Sequence, residues 1–221
     1  MELLQQALDV VLHLDDYLAV FVATYGAWIY VALFAVIFCE TGLVVTPFLP
    51  GDSLLFVAGT IAATGGMNVH LLAFVLFIAA VLGDALNYHI GRWAGPKVFR
   101  GEAWWGARFF KPAHLAKTQS FYDKYGGKTI IIARFIPIVR TYAPFVAGLA
   151  KMPYPRFALY NITGGALWVL SLTYAGYLFG NIRWIKDNLT LVILAIIVVS
   201  ILPAIVEVLR AKWSNRAVQQ S

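Results

Sequence analysis

Residues 48–59 read FLPGDSLLFVAG and put a proline, a glycine and a carboxylate near the middle of an apolar segment, 41–64. Residues 134–148, RFIPIVRTYAPFVAG, repeat the pattern inside a second apolar segment, 129–150. Proline removes a helical hydrogen bond, and irregular backbone at membrane depth persists only where it is buried in protein or lines a wet cavity. Both segments are therefore predicted to be re-entrant hairpins. The residues expected to break them are Pro50, Gly51, Pro137 and Pro144.

The composition of the whole chain also indicates a membrane protein. Its 221 residues are 61% hydrophobic and 13% charged, whereas soluble proteins are about half apolar and a quarter charged. A single cysteine, Cys39, excludes a disulfide within the chain. The net charge of +6 comes from basic residues that mostly flank apolar segments, which favours orientation in an anionic membrane over nucleic-acid binding.

Four apolar segments are long enough to cross a bilayer. The first has 23 residues, about 34 Å as a helix, which exceeds a hydrocarbon core of about 30 Å. The predicted spans are 17–39, 69–93, 156–179 and 188–210. We therefore expect one all-α integral membrane domain, 1–221. Its other parts are an amphipathic helix in 1–16, which either lies on the membrane or packs on the protein, an amphipathic interfacial segment at 96–128 and a basic tail at 211–221.

The distribution of basic residues predicts the orientation. With four spans and two hairpins, one side collects the N-terminus, the segment 92–128, the link 150–156 and the C-terminal tail. These pieces, counted with Arg210 at the end of the last span, hold 13 Lys and Arg residues, against 2 on the other side, Arg183 and Lys186. Since the side rich in Lys and Arg faces the cytoplasm, both termini are predicted to be cytoplasmic.

The two broken segments belong to an internal repeat. Phe-Val-Ala-Gly occurs at 56–59 and again at 145–148, and each copy precedes a span that carries a small-residue step, Gly91 to Gly95 and Gly176 to Gly180. Such steps favour close helix contact. One span separates the hairpins, so the repeats 17–95 and 129–180 are predicted to have opposite membrane orientations, as in many secondary transporters.

Four charges lie within or beside the broken segments: Glu40, Asp52, Arg134 and Arg140. Four unpaired charges at membrane depth would cost about 10–14 kcal/mol. We expect two carboxylates to face two guanidiniums across a polar cavity. Two alternatives would also avoid this cost: ion pairs with a purely structural role, or charged side chains that extend to the membrane interface. The fork of donors on arginine suits phosphate, so Arg134 and Arg140 are candidate substrate-binding residues and Glu40 and Asp52 are candidate proton carriers.

The span 69–93 carries a polar face. Asp84, Asn87 and Tyr88 follow helical spacing, and we expect this face to line the cavity. Asp84 is either a proton-relay residue or the partner of Arg92. The four histidines show no metal-ligand spacing, so neither a metal site nor a cofactor is predicted.

The chain resembles the bacterial DedA family over nearly its whole length. The resemblance rests on Phe38-Cys39-Glu40-Thr41-Gly42, Phe48-Leu49-Pro50-Gly51-Asp52-Ser53 and Ala133-Arg134-Phe135-Ile136-Pro137-Ile138-Val139-Arg140-Thr141, with Gly83-Asp84, Gly126-Gly127-Lys128 and Trp168. It implies a bacterial inner-membrane protein with two re-entrant hairpins. It further implies that Glu40 and Asp52 match the family's essential acidic pair, and Arg134 and Arg140 its essential arginines. Some members are implicated in returning undecaprenyl phosphate to the cytoplasmic leaflet, and others in proton-coupled antiport.

The leading functional hypothesis is a transporter that moves undecaprenyl phosphate, or a similar anionic phospholipid, from the outer to the inner leaflet with protons as the coupling partner. The alternative is a proton/cation antiporter that uses the acidic pair as its ion site. A lipid phosphatase is not expected, because no His-containing phosphatase motif accompanies the arginines. An assembly role in the envelope and association into a homo-oligomer both stay open.

Overall fold

Helices form all the regular structure in the described parts of the chain, which are residues 25–43, 51–99, 118, 120, 122–188, 191, 192 and 195 of a computed structural model. The helices are α1 (Trp28–Gly42), α2 (Gly51–Ala62), α3 (Val69–Phe99), α4 (Thr129–Ala133), α5 (Pro137–Leu149), α6 (Tyr154–Gly180) and α7 (Arg183–Asp187), with a 3₁₀ turn at Gly126–Lys128 before α4.

Two of the predicted spans are confirmed as long apolar helices. Val69–Ala94 within α3 and Tyr154–Gly180, which is α6, are long and apolar enough to cross a membrane. The described part of the span 17–39 is helical from Trp28 and continues to Gly42. Most of the span 188–210 lies outside the described residues, as do the segment 1–16 and the tail 211–221.

The segment 96–128 is described only at its two ends. Its first four residues are the end of α3, which runs to Phe99, and therefore do not begin a separate interfacial element. At its other end, helical residues stop at Tyr125, and Gly126 takes a φ of +57°. Glycine accepts this left-handed conformation without a Cβ clash, so the helical residues can end at this glycine.

Both apolar segments with internal proline are interrupted. In the first, α1 ends at Gly42 and α2 begins at Gly51; Pro50 lies outside the described residues. The 12 residues of α2 are about 18 Å long, too short to cross a hydrocarbon core of about 30 Å. The path of these segments through the membrane stays a prediction.

The second segment breaks between α4 and α5. Ile136 is extended, with φ −121° and ψ 105°, and Pro137 starts α5. The residue before a proline is driven out of the helical region, and proline fits the first helical turn. Pro144 was predicted as a further break, but it lies inside α5. A proline within a helix removes one hydrogen bond, and here the helix continues on both sides of it.

Glycines let the short helices pack closely on the long ones. α2 packs on α6 through Gly59 and Gly176, and α5 packs on α3 through Gly148 and Gly91. A Cβ at any of these four positions would lie 3.0 Å or less from a backbone atom of the facing helix. A Cβ at Gly180, another predicted contact, would lie 2.8 Å from the Thr60 carbonyl oxygen of α2. The surroundings of Gly95, the remaining predicted contact, lie outside the described residues.

These contacts are equivalent in the two repeats. A Cβ at Gly176 would strike the backbone of Phe56, and one at Gly91 would strike the backbone of Phe145. Phe56 and Phe145 open the two copies of Phe-Val-Ala-Gly. Each short helix therefore packs on the long helix of the other repeat, and the first turns of α2 and α5 meet through Asp52 and Arg140.

Candidate functional site

Arg140 joins the two predicted acidic residues. Its Nη2 donates to Glu40 Oε1, and its Nη1 donates to Asp52 Oδ1 at 2.7 Å. Glu40 belongs to the last turn of α1, Asp52 to the first turn of α2 and Arg140 to the first turn of α5. Three helix ends, from both repeats, therefore meet at one guanidinium.

The contact between Glu40 and α2 depends on a glycine. The Gly51 amide donates to Glu40 Oε1 at 3.2 Å, and a Cβ at this position would overlap the carboxylate, lying 2.7 Å from Glu40 Cδ. With any larger residue at this position, either the Glu40 carboxylate or the start of α2 would have to shift. The predicted role of Gly51 as a break is thus extended, because it also lets the start of α2 approach a carboxylate.

Arg134 has different partners from those predicted. Its Nη2 donates to Asp84 Oδ2 at 2.5 Å and to the side-chain oxygen of Asn161 at 2.5 Å. The expected arrangement, two carboxylates facing two guanidiniums, is therefore corrected to two separate groups. The physical reason is the break between α4 and α5: Arg134, which follows α4, reaches Asp84 of α3 and Asn161 of α6, whereas Arg140, in the first turn of α5, reaches Glu40 of α1 and Asp52 of α2.

The partner of Asp84 is thus Arg134 and not Arg92, whose Nη1 donates to the Tyr88 hydroxyl at 3.1 Å. Both side chains of the pair are buried, with Arg134 5% and Asp84 7% exposed. Because a buried charge is costly without a partner, each of these two residues lowers the energetic cost of burying the other.

Asn87 and Tyr88 fasten the helices around the site and do not line the cavity as predicted. The Asn87 amide donates to the Thr141 carbonyl at 2.9 Å and to the Thr41 carbonyl at 3.3 Å. The Tyr88 hydroxyl donates to the Met152 carbonyl. Asn87 therefore ties the residue after Glu40 to the residue after Arg140, and it fixes the distance between the two halves of the site.

Trp168 is a site residue that the sequence analysis did not assign. Its Nε1 donates to Asp52 Oδ1 at 2.7 Å, and its ring lies 5.4 Å from the guanidinium carbon of Arg140 and 5.8 Å from that of Arg134. Trp168 is part of the resemblance to the DedA family, but a tryptophan in an apolar span is an ordinary observation, and the residue was given no role. Only the packing of α6 shows that its ring contacts both guanidiniums.

Asn161 was also missed. Its side-chain amide donates to the Val81 carbonyl at 3.0 Å while its oxygen accepts from Arg134. In the sequence it belongs to an Asn-Ile-Thr sequon within a predicted span. The residue is only 1% exposed, so its polarity serves the buried arginine.

Tyr122 lies outside the predicted spans and contacts the middle of α5. Its hydroxyl donates to the Ala143 carbonyl at 2.9 Å. Burial raises the pKa of Tyr122, so the proton that makes this hydrogen bond stays in place.

The charges are layered from an exposed edge towards a buried centre. The Asp52 side chain is 48% exposed, Arg140 is 16% exposed and Glu40 is 4% exposed. A cavity of about 20 Å³ lies between the two groups, which is room for about one water molecule. It is lined by Glu40, Thr41, Asp84, Ile130, Arg134, Arg140, Thr141, Pro144 and Trp168.

The cluster contains one carboxylate more than it has guanidiniums. Glu40, Asp52 and Asp84 face Arg134 and Arg140, which gives a formal charge of −1 when all five are ionised. Glu40 Oε2 and Arg134 Nε are buried without a hydrogen-bond partner among the described residues. The cluster can therefore take up one proton. Glu40 Oε2 can accept a hydrogen bond from a small ligand, and Arg134 Nε can donate one.

No three His, Cys, Asp or Glu residues in the described part of the chain lie close enough together to hold a metal ion. The chemistry available here is reversible ion pairing, hydrogen bonding and proton binding.

Comparison with known proteins identifies related membrane proteins. Residues 49–178 match the VTT domain family. The chain is 56% identical over 214 residues to Protein DedA of Escherichia coli K12, covering 96% of each chain. It is 43% identical over 175 residues to the uncharacterized membrane protein ML0287 of Mycobacterium leprae, covering 79% of this chain and 77% of the relative.

A third relative is the inner membrane protein YqjA of Escherichia coli K12, 37% identical over 182 residues, which cover 82% of this chain and 80% of the relative. No solved structure matches the chain.

Proposed function

This chain belongs to the DedA family of VTT-domain membrane proteins, and from that premise we propose that it carries an anionic lipid from the outer to the cytoplasmic leaflet of the bacterial inner membrane. The proposed lipid is undecaprenyl phosphate or a phospholipid with a similar phosphate headgroup. Protons are the proposed coupling partner, both termini are proposed to be cytoplasmic, and no chemical conversion of the lipid is involved.

The observation that supports this proposal is the position of Arg140. Its guanidinium divides its donors between a buried carboxylate, Glu40, and a half-exposed one, Asp52. A phosphate, like a carboxylate, offers oxygens that accept hydrogen bonds from the planar guanidinium of arginine. It can therefore replace Asp52 without leaving Arg140 unpaired. The exposed edge of the site is therefore where a headgroup would enter.

The two arginines take different parts in this proposal. Arg140 contacts the headgroup directly. Arg134 is paired with Asp84 and Asn161 and almost completely buried, so it adds positive potential behind the cavity and contacts the phosphate only if the deeper pair opens. The cavity of about 20 Å³ is too small for a phosphate group, and hence lipid entry requires α2 and α5 to move apart.

The excess carboxylate supplies a route to proton coupling. A headgroup that occupies Arg140 takes the guanidinium away from a carboxylate, and a carboxyl group without a counter-charge in a low-dielectric site favours its protonated form. Proton uptake would then accompany lipid binding, and release of both on the cytoplasmic side would complete the cycle. Glu40 and Asp52 are the groups proposed to carry this proton.

The proposal is tested by following a labelled polyprenyl phosphate between leaflets of proteoliposomes that contain the purified protein. Arg140→Lys keeps the charge but removes the fork, and we expect transport to fall about tenfold or more, as for a lost hydrogen bond to a charged group. Arg183→Lys is the matched control, because Arg183 is exposed at the start of α7. Transport at the wild-type rate in Arg140→Lys would contradict headgroup binding.

Proton coupling is tested in the same vesicles with an imposed pH gradient. Glu40→Gln and Asp52→Asn keep side-chain shape and remove the titrating group, so lipid movement should lose its response to the gradient. A full response in both variants would refute their role in coupling.

Proton/cation antiport is the second candidate, and the excess of carboxylates over guanidiniums favours it. In this case Glu40 and Asp52 would bind the ion, while the arginines serve as counter-charges. Gradient-driven ion exchange in vesicles, with no movement of the labelled lipid, would select this alternative.

A further inference from the structure

Two donors converge on one oxygen of Asp52. Arg140 Nη1 and Trp168 Nε1 each lie 2.7 Å from Asp52 Oδ1. One donor comes from α5 and the other from α6, so two separate helices aim their hydrogen atoms at the same point. This point is an anion-binding position, and in this structure a carboxylate of the protein occupies it.

Asp52 differs from the rest of the cluster in its exposure. Its side chain is about half exposed, whereas Trp168 is 2% exposed and Glu40 is 4% exposed. The carboxylate can therefore swing away from the site with little rearrangement, while the indole cannot. The donors are fixed and the acceptor is exchangeable.

We infer that Trp168 is a substrate-binding residue and that Asp52 is an internal competitor for its site: an anionic headgroup displaces the carboxylate and takes over hydrogen bonds from both the indole and Arg140. This inference rests on the proposed function. It assigns Asp52 a second role besides carrying a proton. It also assigns a ligand contact to Trp168, which is not one of the four charged residues Glu40, Asp52, Arg134 and Arg140.

The chemistry of the indole supports this assignment. Its N–H is a donor only, and a buried indole N–H needs an acceptor. When Asp52 leaves, the acceptor must be supplied by whatever enters. An anionic oxygen satisfies this requirement and a cation does not, so Trp168 also selects for the sign of the ligand.

The packing of the ring fixes the direction of the donor. The ring centroid lies 5.8 Å from the guanidinium carbon of Arg134 and 5.4 Å from that of Arg140, within the range of a cation–π contact. Pre-organised donors lose little entropy when a ligand binds. Trp168 therefore presents its N–H at a constant position whether the carboxylate or the headgroup is bound.

The inference makes a specific prediction about coupling between Trp168 and Asp52. Trp168→Phe removes one hydrogen bond from the headgroup, but it removes one from the competing carboxylate as well. In the wild-type background the two losses partly cancel. In Asp52→Ala the competitor is absent, so the full loss, about tenfold or more for a hydrogen bond to a charged group, becomes visible.

The experiment measures the affinity of purified protein in detergent micelles for farnesyl phosphate, a short lipid monophosphate. The four proteins are the wild type, Trp168→Phe, Asp52→Ala and the double variant. Farnesol and inorganic phosphate are the other probes, and Trp184→Phe, an exposed position in α7, is the matched control. Thermal unfolding of each protein verifies that the variants are folded.

We expect Asp52→Ala to bind farnesyl phosphate more tightly than the wild type, and Trp168→Phe to weaken binding more in the Asp52→Ala background than in the wild type. Equal effects in both backgrounds, or no gain in Asp52→Ala, would overturn this inference while leaving the proposed function intact. If no variant prefers farnesyl phosphate to farnesol, the proposed function itself fails. Inorganic phosphate that binds as tightly as farnesyl phosphate would replace the lipid with free phosphate as the ligand.

Discussion

Replacing Arg134 by methionine tests whether the deeper ion pair holds the fold together. Arg134 and Asp84 are both more than nine-tenths buried, and their closest atoms are 2.5 Å apart. The same guanidinium nitrogen also donates to the Asn161 side chain. Methionine fills similar space without charge, so the change leaves Asp84 buried with no counter-charge and Asn161 without its donor.

The expected loss of stability is large. Removing one partner of a buried ion pair costs about 3–5 kcal/mol, because the remaining charge is not compensated. Arg183→Met, at an exposed position, should change stability by about 0.5 kcal/mol or less. The free energy of unfolding is measured by titrating the protein in mixed micelles with a denaturing detergent and following helix content by circular dichroism.

A double variant separates loss of the pair from loss of packing. Arg134→Met with Asp84→Leu removes both charges, and replacing a buried pair by apolar residues is often neutral. The double variant should therefore be more stable than Arg134→Met alone. Wild-type stability in Arg134→Met, or a double variant that is no better than the single one, would refute the argument that Arg134 stabilises the protein through Asp84.

The glycine contacts and the topology give two further predictions. Gly59→Ala and Gly91→Ala should each lower the free energy of unfolding by about 1–3 kcal/mol through overpacking. Alanine is the better helix former, but its Cβ would meet the backbone of the facing helix. A gain in stability at both positions would contradict the close packing. The topology is tested in a Cys39→Ser background, where Gly66→Cys should react with an impermeant maleimide added outside intact cells and Lys124→Cys should react only after permeabilisation. Both positions are exposed, and they lie on opposite predicted sides of the membrane. If both cysteines reacted from the same side, the four-span scheme would be refuted.

The long helices and the breaks could be predicted because they depend on local sequence. The apolar length of 69–93 and 156–179 is enough to specify α3 and α6, and a proline dictates the extended residue before it at Ile136. The close contacts at Gly91 and Gly176 were also accessible, since small residues recur at the same place in both repeats.

The pairing of charges could not be predicted, because it depends on which helices pack together. The sequence indicates that Glu40, Asp52, Arg134 and Arg140 need partners, but it contains no information on which carboxylate faces which arginine. Asp84 also lies about two helical turns before Arg92 on the same helix, which made a local pair a reasonable hypothesis. The break after Ala133 moves Arg134 towards α3, and this long-range effect gives Asp84 its partner.

The break between α4 and α5 also explains how two arginines six residues apart reach different partners. The amides of Arg134, Phe135 and Ile136 each donate to the carbonyl three residues earlier, at 3.3, 3.2 and 2.9 Å. These three amide groups are therefore satisfied within the turn, as apolar surroundings require.

The repeat explains why the mouth of the site is an ion pair. Asp52 lies four residues and Arg140 five residues before the Phe-Val-Ala-Gly phrase of its own repeat, each in the first turn of a short helix. Two like charges at these positions would repel each other, and such repulsion is stronger away from bulk water. Because one copy carries a carboxylate and the other a guanidinium, the two helices attract each other when the site is empty. An anionic headgroup that neutralises Arg140 removes this attraction, so binding itself would weaken the contact that keeps the site closed.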